Sequence, residues 1–508
     1  MNGAILIAGT HSDAGKSVVT SGICRWLARQ GVSVAPFKAQ NMALNSVVAA
    51  DGSEIGRAQA AQAAACGVET EAAMNPVLIK PSGHLHSQIV VMGKPYADAD
   101  ARSYQKLKLE LKPIVAEALA DLRSRFDVVV CEGAGSPAEI NLREGDLTNM
   151  GLARAADLPV LVVGDIDRGG VMASLFGTLA LLDADDQSHI AGFLVNKFRG
   201  DGSILAPGLE QLERLTARPT LGVLPHVEDL WMDVEDSLAL ESPRAELPAI
   251  KETLDVAVVR LRWISNFTDV DALANEPGVR VRFTRSPADI ERADLVVIPG
   301  TKATVEDLAR LRDAGLDRVL AARAARGDPI LGICGGYQLL GERINDDVES
   351  RAGAVEGLGL LPITTAFDPD KLLRRRDGAS AWLNTPVAGY EIRHGRITRH
   401  GGEPLLHNSA DREPDGCRAG AVLGTSWHGA LEHDAFRRAL LRHVAAARGR
   451  DFAPGSRAFA AAREQRLDVL GDLIEQHVDT ARLTDLINGG VPAGLPTVHT
   501  EVRTCSVS

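Results

Sequence analysis

The stretch GTHSDAGKS at residues 9–17 follows the short apolar run Ala4–Ala8 and precedes a helical pattern. A glycine-bearing turn that enters a helix directs several backbone N–H groups at one point, where the helix dipole adds positive potential. There the Lys16 ammonium would neutralise phosphate groups, and the Ser17 hydroxyl would bind Mg²⁺. Five residues separate the two glycines, instead of the four of the usual phosphate-binding loop. The stretch therefore predicts a strand, a nucleotide-binding loop of unusual spacing and a helix.

Short β-branched runs alternate with Ala/Leu-rich stretches through most of the chain. Because these runs are continuously apolar, they predict parallel strands that are covered on both faces. The first half is therefore predicted to be a doubly wound α/β domain. Its predicted strands are Ala4–Ala8, Val32–Pro36, Asp127–Cys131, Val160–Gly164 and Ile190–Asn196, and its predicted helices include Lys16–Gln30 and Pro113–Arg125.

The α/β pattern lapses over Asp236–Lys251, where Glu, Ser, Pro and Ala predict a linker. A second α/β series follows, with predicted strands Val256–Leu261, Val279–Phe283, Leu295–Pro299 and Pro329–Ile333. In Ala458–Ile487 the apolar residues recur every three or four positions, which predicts an amphipathic helix. The predicted units are two doubly wound domains at residues 1–238 and 252–446, a helical segment at 455–488 and a loosely ordered tail at 489–508.

Length and composition exclude several classes of protein. A chain of 508 residues is too long for a single small binding module, and a formal net charge of −12 argues against a nucleic-acid or anionic-membrane partner. No run approaches the roughly 18 apolar residues of a membrane helix, and the N-terminal stretch lacks the features of a signal peptide. The six cysteines form no metal-binding pair. We therefore expect a soluble protein of the reducing cytoplasm.

A second chemical motif lies at residues 329–338, which read PILGICGGYQ. A strand, a Gly-x-Cys-x-Gly turn and a helix form a nucleophile elbow that projects Cys334 at a helix N-terminus, where the thiolate is favoured. The alternative is a buried core cysteine. His428 follows the strand-like run Ala421–Thr425 and is the candidate base. Other histidines, including His394, lack this context and are predicted to be surface or structural residues.

This order of Cys elbow and then His resembles the class I glutamine amidotransferases. The resemblance implies a flavodoxin-like domain in which Cys334 and His428 release ammonia from glutamine through a γ-glutamyl thioester. The predicted oxyanion donors are the N–H of Gly335 and one N–H around Gly300. Gln338 either lines the glutamine pocket or packs the elbow helix.

One position departs from that family. Its usual third member is a carboxylate two residues beyond the histidine, and here that position is Ala430, with Glu432 the nearest acid. We expect a backbone carbonyl, or an acid from elsewhere in the chain, to hold the His428 ring.

The first domain resembles the dethiobiotin synthetase superfamily in its loop, in Lys38 after the second strand and in EGAG at residues 132–135. The resemblance implies that the γ-phosphate of ATP moves to a carboxylate, with Mg²⁺ held by Ser17, Glu132 and Glu54. Asp51 competes with Glu54 for this role, and either acid could instead be a surface carboxylate. Asn196 would contact the base or simply cap its strand. The predicted ATP-binding residues are Gly9, Thr10, Asp13, Gly15, Lys16, Ser17 and Asn196.

Several longer stretches are similar to the cobyric acid synthase family. They lie at residues 37–46, 74–81, 165–170, 262–267 and 390–395, within a resemblance that covers roughly residues 3–487. The family implies ATP- and glutamine-dependent amidation of the b, d, e and g carboxylates of adenosylcobyrinic acid a,c-diamide. The predicted corrinoid contacts are Lys38, Gln40, Asn41 and Asn45, although Gln40 and Asn45 could equally be helix-capping residues.

Two other functions remain open at this point. One is the related a,c-diamide synthase, against which the stretch at residues 40–42 argues. The other is a nucleotide-binding ATPase that carries a degenerate glutaminase, against which the presence of both Cys334 and His428 argues. The sequence leaves open whether the chain forms a homo-oligomer.

Overall fold

The computed structural model describes residues 1–82, 86–227 and 253–498. The predicted linker Asp236–Lys251 and the predicted boundary at residue 238 lie outside these ranges. The fold is mixed α/β with two parallel sheets, as predicted. Within the described ranges no helix is long and apolar enough to span a bilayer.

The first domain is built on six parallel strands. Across the sheet they run in the order Thr220–Pro225, Ile190–Phe198, Val160–Asp165, Gly3–Gly9, Val128–Glu132 and Val34–Phe37. Continuous burial along the central strands explains their uninterrupted apolar sequence. The helices of this domain are Lys16–Arg29, Arg57–Cys66, Ala101–Arg125, Met150–Ala156, Val171–Ala180, Ala184–His189 and Gly202–Thr216.

An insertion follows Val34–Phe37, the second strand of this sheet in chain order. It contains a four-stranded sheet and a short antiparallel pair. The four strands are Gln40–Met42, Val77–Pro81, Ser87–Val91 and Lys94–Ala99, and the pair is Ser46–Val48 with Glu54–Gly56.

The second domain contains another six-stranded sheet, in which only the last strand is antiparallel. Its order is Val279–Thr284, Leu254–Val259, Leu295–Ile298, Ile330–Ile333, Val422–Thr425 and Cys417–Ala419. The helices are Asp271–Ala274, Pro287–Arg292, Thr304–Asp313, Leu316–Arg326, Gly335–Leu339 and Asp434–Arg448. A further sheet is dominated by the antiparallel hairpin of Ile363–Ser380 and Thr385–Arg399. Its other strands are Arg343–Asp346, Gly353–Glu356, Leu406–Asn408 and Pro414–Asp415, and a separate pair joins Ile264–Ser265 to Gly300–Thr301.

The C-terminal segment forms two helices, Phe459–His477 and Thr480–Gly489, where the apolar spacing predicts one. The helical path breaks where the Asp479 N–H donates to the carbonyl of Leu221, at an edge strand of the first sheet. Both helices pack on the first domain. Their apolar face shares one core with the first sheet and includes Leu467, Leu470, Leu473, Ile474, Val478, Leu483 and Ile487.

The chain beyond these helices is also held in place as far as it is described. The Val498 N–H donates to the Gln187 side chain at 2.7 Å, and Arg218 donates to the carbonyl of Pro496. Pro496 and Val498, within the predicted loosely ordered tail, are therefore hydrogen-bonded to the first domain. Residues 499–508 lie outside the described ranges.

We expect Leu470→Ala to lower the free energy of unfolding by about 2–5 kcal/mol, because it opens a cavity in the core that the C-terminal helix shares with the first sheet. Leu109→Ala is the matched control. Leu109 is 69% exposed, so its loss should cost less than about 0.5 kcal/mol. Urea unfolding followed by circular dichroism compares them, and equal small losses would show that the helix does not complete this core.

Candidate active sites

The phosphate loop is held in a conformation that only glycine adopts easily at its turn into the helix. Gly15 has a φ of +104°, and a Cβ atom there would overlap the Asn196 amide. The Lys16 ammonium donates to the carbonyls of His11, Ser12 and Gly135 at 3.0, 3.2 and 3.1 Å. The loop therefore presents a fixed positive charge where phosphates would lie.

Glu132 is the point at which several polar side chains meet. Its Oε1 accepts hydrogen bonds from the Ser17 hydroxyl at 2.9 Å and from the Lys38 ammonium at 3.0 Å, while its other oxygen accepts from Gln62. Burial alone would raise the Glu132 pKa, but Lys38, Lys16 and the Ser17 hydroxyl together hold that pKa below its ordinary value. The side chain is therefore a carboxylate beside the loop hydroxyl.

A cleft of about 490 Å³ opens beside the loop and is lined by Lys16, Ser17, Glu132, Lys38, Gln40 and Asn41. Tyr104 donates its hydroxyl hydrogen to the Gln40 side chain, and the Asn41 amide donates to Gln59 at 2.7 Å. The buried Asn41 Oδ1 and Gln59 Nε2 atoms have no hydrogen-bond partner in the described part of the chain. Gln40 and Asn41 bring amide side chains to the lining of the cleft, which does not include Gln59.

The other predicted ATP contacts lie around the loop in different roles. The Asn196 amide donates to the Ala14 carbonyl at 3.1 Å and so stabilises the loop. This N–H group is therefore not available to a nucleotide base. Asp13 forms a solvent-exposed ion pair with Arg168 at 3.0 Å. Gly9 ends the first strand, and the Thr10 N–H donates to the Val163 carbonyl. Only Lys16 and Ser17 of this predicted set line the cleft.

Glu54 is not part of this group, and the predicted pairing of Glu54 with Glu132 at a metal is not formed. Its carboxylate is fully buried and accepts from the Lys80 ammonium at 2.5 Å, from Lys371 and from the Ser46 hydroxyl at 2.8 Å. Lys371 belongs to the second domain. Glu54 therefore serves the domain interface, and the competing Asp51 only orders its own turn by accepting from Ser53.

Asn45 also lies between the domains and not in the cleft. Its Oδ1 accepts from the Phe267 N–H at 3.3 Å, and Asn266 returns the contact by accepting from the Ser46 N–H at 2.8 Å. Asn45, predicted to contact the corrinoid, instead takes part in a pair of hydrogen bonds in which each domain donates a backbone N–H to an asparagine side chain of the other. Helix capping, the alternative for this residue, does not describe it either.

The predicted nucleophile elbow is formed at Cys334. This residue lies between the strand Ile330–Ile333 and the helix Gly335–Leu339. Its φ of +52° is strained for any residue other than glycine. A Cβ atom on Gly336 would overlap the Ile298 carbonyl, so glycine is required there. The Cys334 side chain is 7% exposed, and its sulfur lies 3.7 Å from the Ile392 carbonyl oxygen.

His428 reaches Cys334 and is held by Asp269, an acid that no local sequence pattern indicates. The ring Nδ1 lies 2.7 Å from Asp269 Oδ2, and Asp269 Oδ1 accepts from the Gly429 N–H at 2.8 Å. Burial alone would lower the His428 pKa, but Asp269 and the hydrogen-bonded Cys334 raise that pKa to about 10. The ring lies between a carboxylate and the sulfur, an arrangement that favours its protonated form.

The surroundings of the thiol come from both domains. A small pocket of about 40 Å³ is lined by Cys334, His428, Gly335, Gln338, Thr301, His394, Lys80 and Lys371. Gly300 adjoins it, because a Cβ atom there would lie 3.1 Å from the His428 ring. Gln338 lies in the elbow helix and lines this pocket. His394, predicted to be a surface or structural residue, is 7% exposed and forms part of the pocket wall.

Comparison with known proteins identifies both domains. Residues 5–239 match the CobQ/CobB/MinD/ParA nucleotide binding domain, and residues 255–436 match the CobB/CobQ-like glutamine amidotransferase domain. Cobyric acid synthase of Frankia casuarinae is 60% identical, covering 98% of this chain and 99% of that protein. The enzyme of Streptomyces coelicolor is 59% identical over 98% of each chain. The chain belongs to the cobyric acid synthase family.

Membership in the cobyric acid synthase family makes the chain a glutamine amidotransferase ligase that acts in cobalamin biosynthesis, with glutamine and a corrinoid as substrates. A solved glutamine amidotransferase structure also aligns with 38% of this chain and 98% of its own, at a TM-score of 0.31 and 21% identity.

The structure also explains how His428 is held although Ala430 occupies the position of the usual carboxylate. Glu432 turns away from His428 and pairs with Arg57 and Arg463. Asp269, 159 residues earlier in the chain, supplies the carboxylate instead. No local spacing could reveal it, although it lies just beyond the stretch at residues 262–267 that resembles the family.

We expect Asp269→Asn to lower glutamine hydrolysis by at least roughly 10²-fold, because the His428 ring loses both its orientation and its charge partner. The His428 pKa should fall in the variant. In the wild type that pKa is raised to about 10, so the ion pair stabilises the fold fully below the ordinary value of 6.5 and is lost as pH rises toward 10. NMR titration of the ring and a glutaminase assay measure both effects.

Glu432→Gln is the matched control for this experiment, because Glu432 is the nearest acid in sequence but bonds to arginines. Its glutaminase activity should fall less than about tenfold. Equal severe losses in the two variants would contradict the role assigned to Asp269.

Proposed function

We propose that the chain converts adenosylcobyrinic acid a,c-diamide to adenosylcobyric acid by amidating its b, d, e and g carboxylates. Each amidation would consume one ATP and one glutamine. The observation that carries the proposal is the joining of two sites in one chain, a loop with a fixed ammonium beside a carboxylate and a Cys–His–Asp group. The amide side chains of Gln40 and Asn41 in the cleft lining also suit a corrinoid that carries amides and carboxylates.

In the first site, an oxygen of the corrinoid carboxylate would attack the γ-phosphorus of ATP and release ADP. The resulting acyl phosphate has a leaving group that a free carboxylate lacks, so ammonia can replace phosphate and form the amide. Lys16 would stabilise the charge that spreads over the transferring phosphate, and Lys38, which lines the same cleft, would pair with the carboxylate.

The residues beside the loop fit a magnesium ion. The Ser17 hydroxyl and the Glu132 carboxylate already meet at 2.9 Å, and both are hard oxygen ligands. Among the described residues no group of three or more His, Cys, Asp or Glu side chains forms a complete metal cage. Mg²⁺ commonly uses one or two protein oxygens together with phosphates and water, where it neutralises phosphate charge. Ser17 and Glu132 would hold it here.

In the second site, the Cys334 sulfur would attack the side-chain amide carbon of glutamine. The oxyanion would be stabilised by the Gly335 N–H and a backbone group near Gly300. The proton on His428 would then pass to the departing ammonia, which leaves a γ-glutamyl thioester for water to hydrolyse. Asp269 would keep the ring in position through both transfers.

Cys334→Ser should abolish glutamine-dependent amidation and retain amidation with high concentrations of ammonium salt. The thiol serves only ammonia release, while the acyl phosphate forms in the other domain. Product analysis by mass spectrometry with each nitrogen source measures the difference. A folded variant that loses both activities equally would contradict this division of labour.

Lys16→Ala should remove amidation with either nitrogen source, because the acyl phosphate cannot form. The lost charge acts most strongly in the transition state, so turnover should fall more than ATP affinity. Corrinoid-dependent ADP release and ATP binding provide the two measurements. Near-normal turnover with ammonium would refute the assignment of residues 9–17 as the catalytic phosphate loop.

A further inference from the structure

One strand of the long hairpin, Thr385–Arg399, contacts both members of the catalytic pair. The Ile392 carbonyl oxygen lies 3.7 Å from the Cys334 sulfur. Two residues earlier, the Tyr390 N–H donates to the His428 carbonyl at 2.9 Å, and the His428 N–H donates to the Tyr390 carbonyl at 2.8 Å. The strand is therefore fixed beside the nucleophile and beside the base at the same time.

The strand approaches His428 as closely as the backbone allows. A Cβ atom built on Gly389 would lie 2.5 Å from the His428 carbonyl oxygen, so only glycine fits there. This approach brings the Tyr390 ring against the His428 ring, with centroids 5.5 Å apart and planes 28° from parallel. Tyr390 is only 8% exposed, so its ring cannot turn away into solvent.

The aromatic stack opposes a motion of the base that its hydrogen bonds permit. Asp269 holds the Nδ1 edge of the His428 ring, and Cys334 is hydrogen-bonded to the same ring. Rotation of the ring about the line between these two partners preserves both bonds, and a flat face beside the ring opposes it. An aromatic face also favours the protonated form of a neighbouring imidazole, because the π-electrons attract a cation.

Tyr390 is itself held by residues of the first domain. It lies in one small apolar cluster with Val48, from the short strand Ser46–Val48. Its hydroxyl accepts a hydrogen bond from Arg57 at 3.4 Å, and the Arg57 side chain is 4% exposed. Arg57 also pairs with Glu432, so two contacts orient its guanidinium group. The surroundings of the base therefore include side chains from the other domain.

We propose that Tyr390 is a positioning residue of the glutaminase and that Arg57, from the first domain, holds Tyr390 in place. The Tyr390 ring keeps the His428 imidazole in the orientation in which it faces the Cys334 sulfur and the departing ammonia. Tyr390 does not line the thiol pocket, so it acts through His428. This inference rests on Cys334 and His428 as the glutaminase pair of the proposed function.

Two substitutions separate the Tyr390 ring from its hydroxyl group. Tyr390→Leu removes the ring, and we expect it to lower kcat for glutamine hydrolysis at least roughly tenfold while KM changes less than about threefold. Tyr390→Phe keeps the ring, so its loss in kcat should be only about two- to threefold. NMR titration of the His428 ring should show a pKa that falls in Tyr390→Leu and is unchanged in Tyr390→Phe.

Val387→Ala is the matched structural control. Val387 is 2% exposed in the same strand, so this variant removes buried apolar volume without removing an aromatic ring. It should unfold at a lower urea concentration while its kcat and its His428 pKa stay at the wild-type values.

Amidation with ammonium salt shows which variants are folded. If Tyr390→Leu does not fold, Tyr390→Met carries the same expectation, because a flexible side chain fills more of the vacated space without restoring a ring. Wild-type kcat in a folded variant that lacks the ring, or the same loss of kcat in Val387→Ala, would overturn the proposal.

A double-mutant cycle tests the part assigned to Arg57. Arg57→Met should lower kcat about as much as Tyr390→Phe does, and the double variant should lose no more than the larger single loss, because both changes remove one contact. Losses that multiply, or wild-type kcat in both single variants, would show that Arg57 does not act through Tyr390.

Failure of the proposed function would look different. If His428→Ala retains glutamine hydrolysis, then the base itself is misassigned. If His428→Ala is inactive while Tyr390→Leu keeps the wild-type kcat, only the role of Tyr390 is wrong.

Discussion

The carboxylate of Glu54 is buried between the two domains and is neutralised by one lysine from each of them, Lys80 and Lys371. Burial alone would raise the Glu54 pKa, yet the two ammonium groups hold it far below its ordinary value. An unpaired charge at this depth would cost several kcal/mol, so the docking of the domains and the pairing of Glu54 depend on each other. Because both lysines also line the thiol pocket, the glutaminase site is complete only in the docked molecule.

The helix Arg57–Cys66 gives the docked molecule a second connection, this time between the two active sites. Gln62 on this helix donates to Glu132 beside the phosphate loop. At its first residue, Arg57 lies 3.4 Å from the Tyr390 hydroxyl, and the Tyr390 ring stacks on His428 at 5.5 Å between centroids. One short helix therefore contacts both Glu132 in the first site and Tyr390, the residue that stacks on His428, in the second.

Elements with strong local signals could be predicted from the sequence. The buried parallel strands, the loop around Lys16 and the elbow at Cys334 depend on neighbouring residues, and the structure forms all of them. Asn45, Glu54 and Asp269 could not be placed in this way, because each acts through a surface brought from the other domain or from 159 residues away. A polar residue looks the same in sequence whether it faces a ligand or a partner domain.

The two C-terminal helices complete the core of the domain that contains the N-terminus, and the Asn2 N–H even donates to the Asn488 side chain. During synthesis on a ribosome, the second domain emerges as one continuous stretch and can fold while translation continues. The first domain is made earlier, but one face of its sheet stays uncovered until the helices Phe459–His477 and Thr480–Gly489 leave the exit tunnel. The first domain is thus synthesised first but completes its fold last.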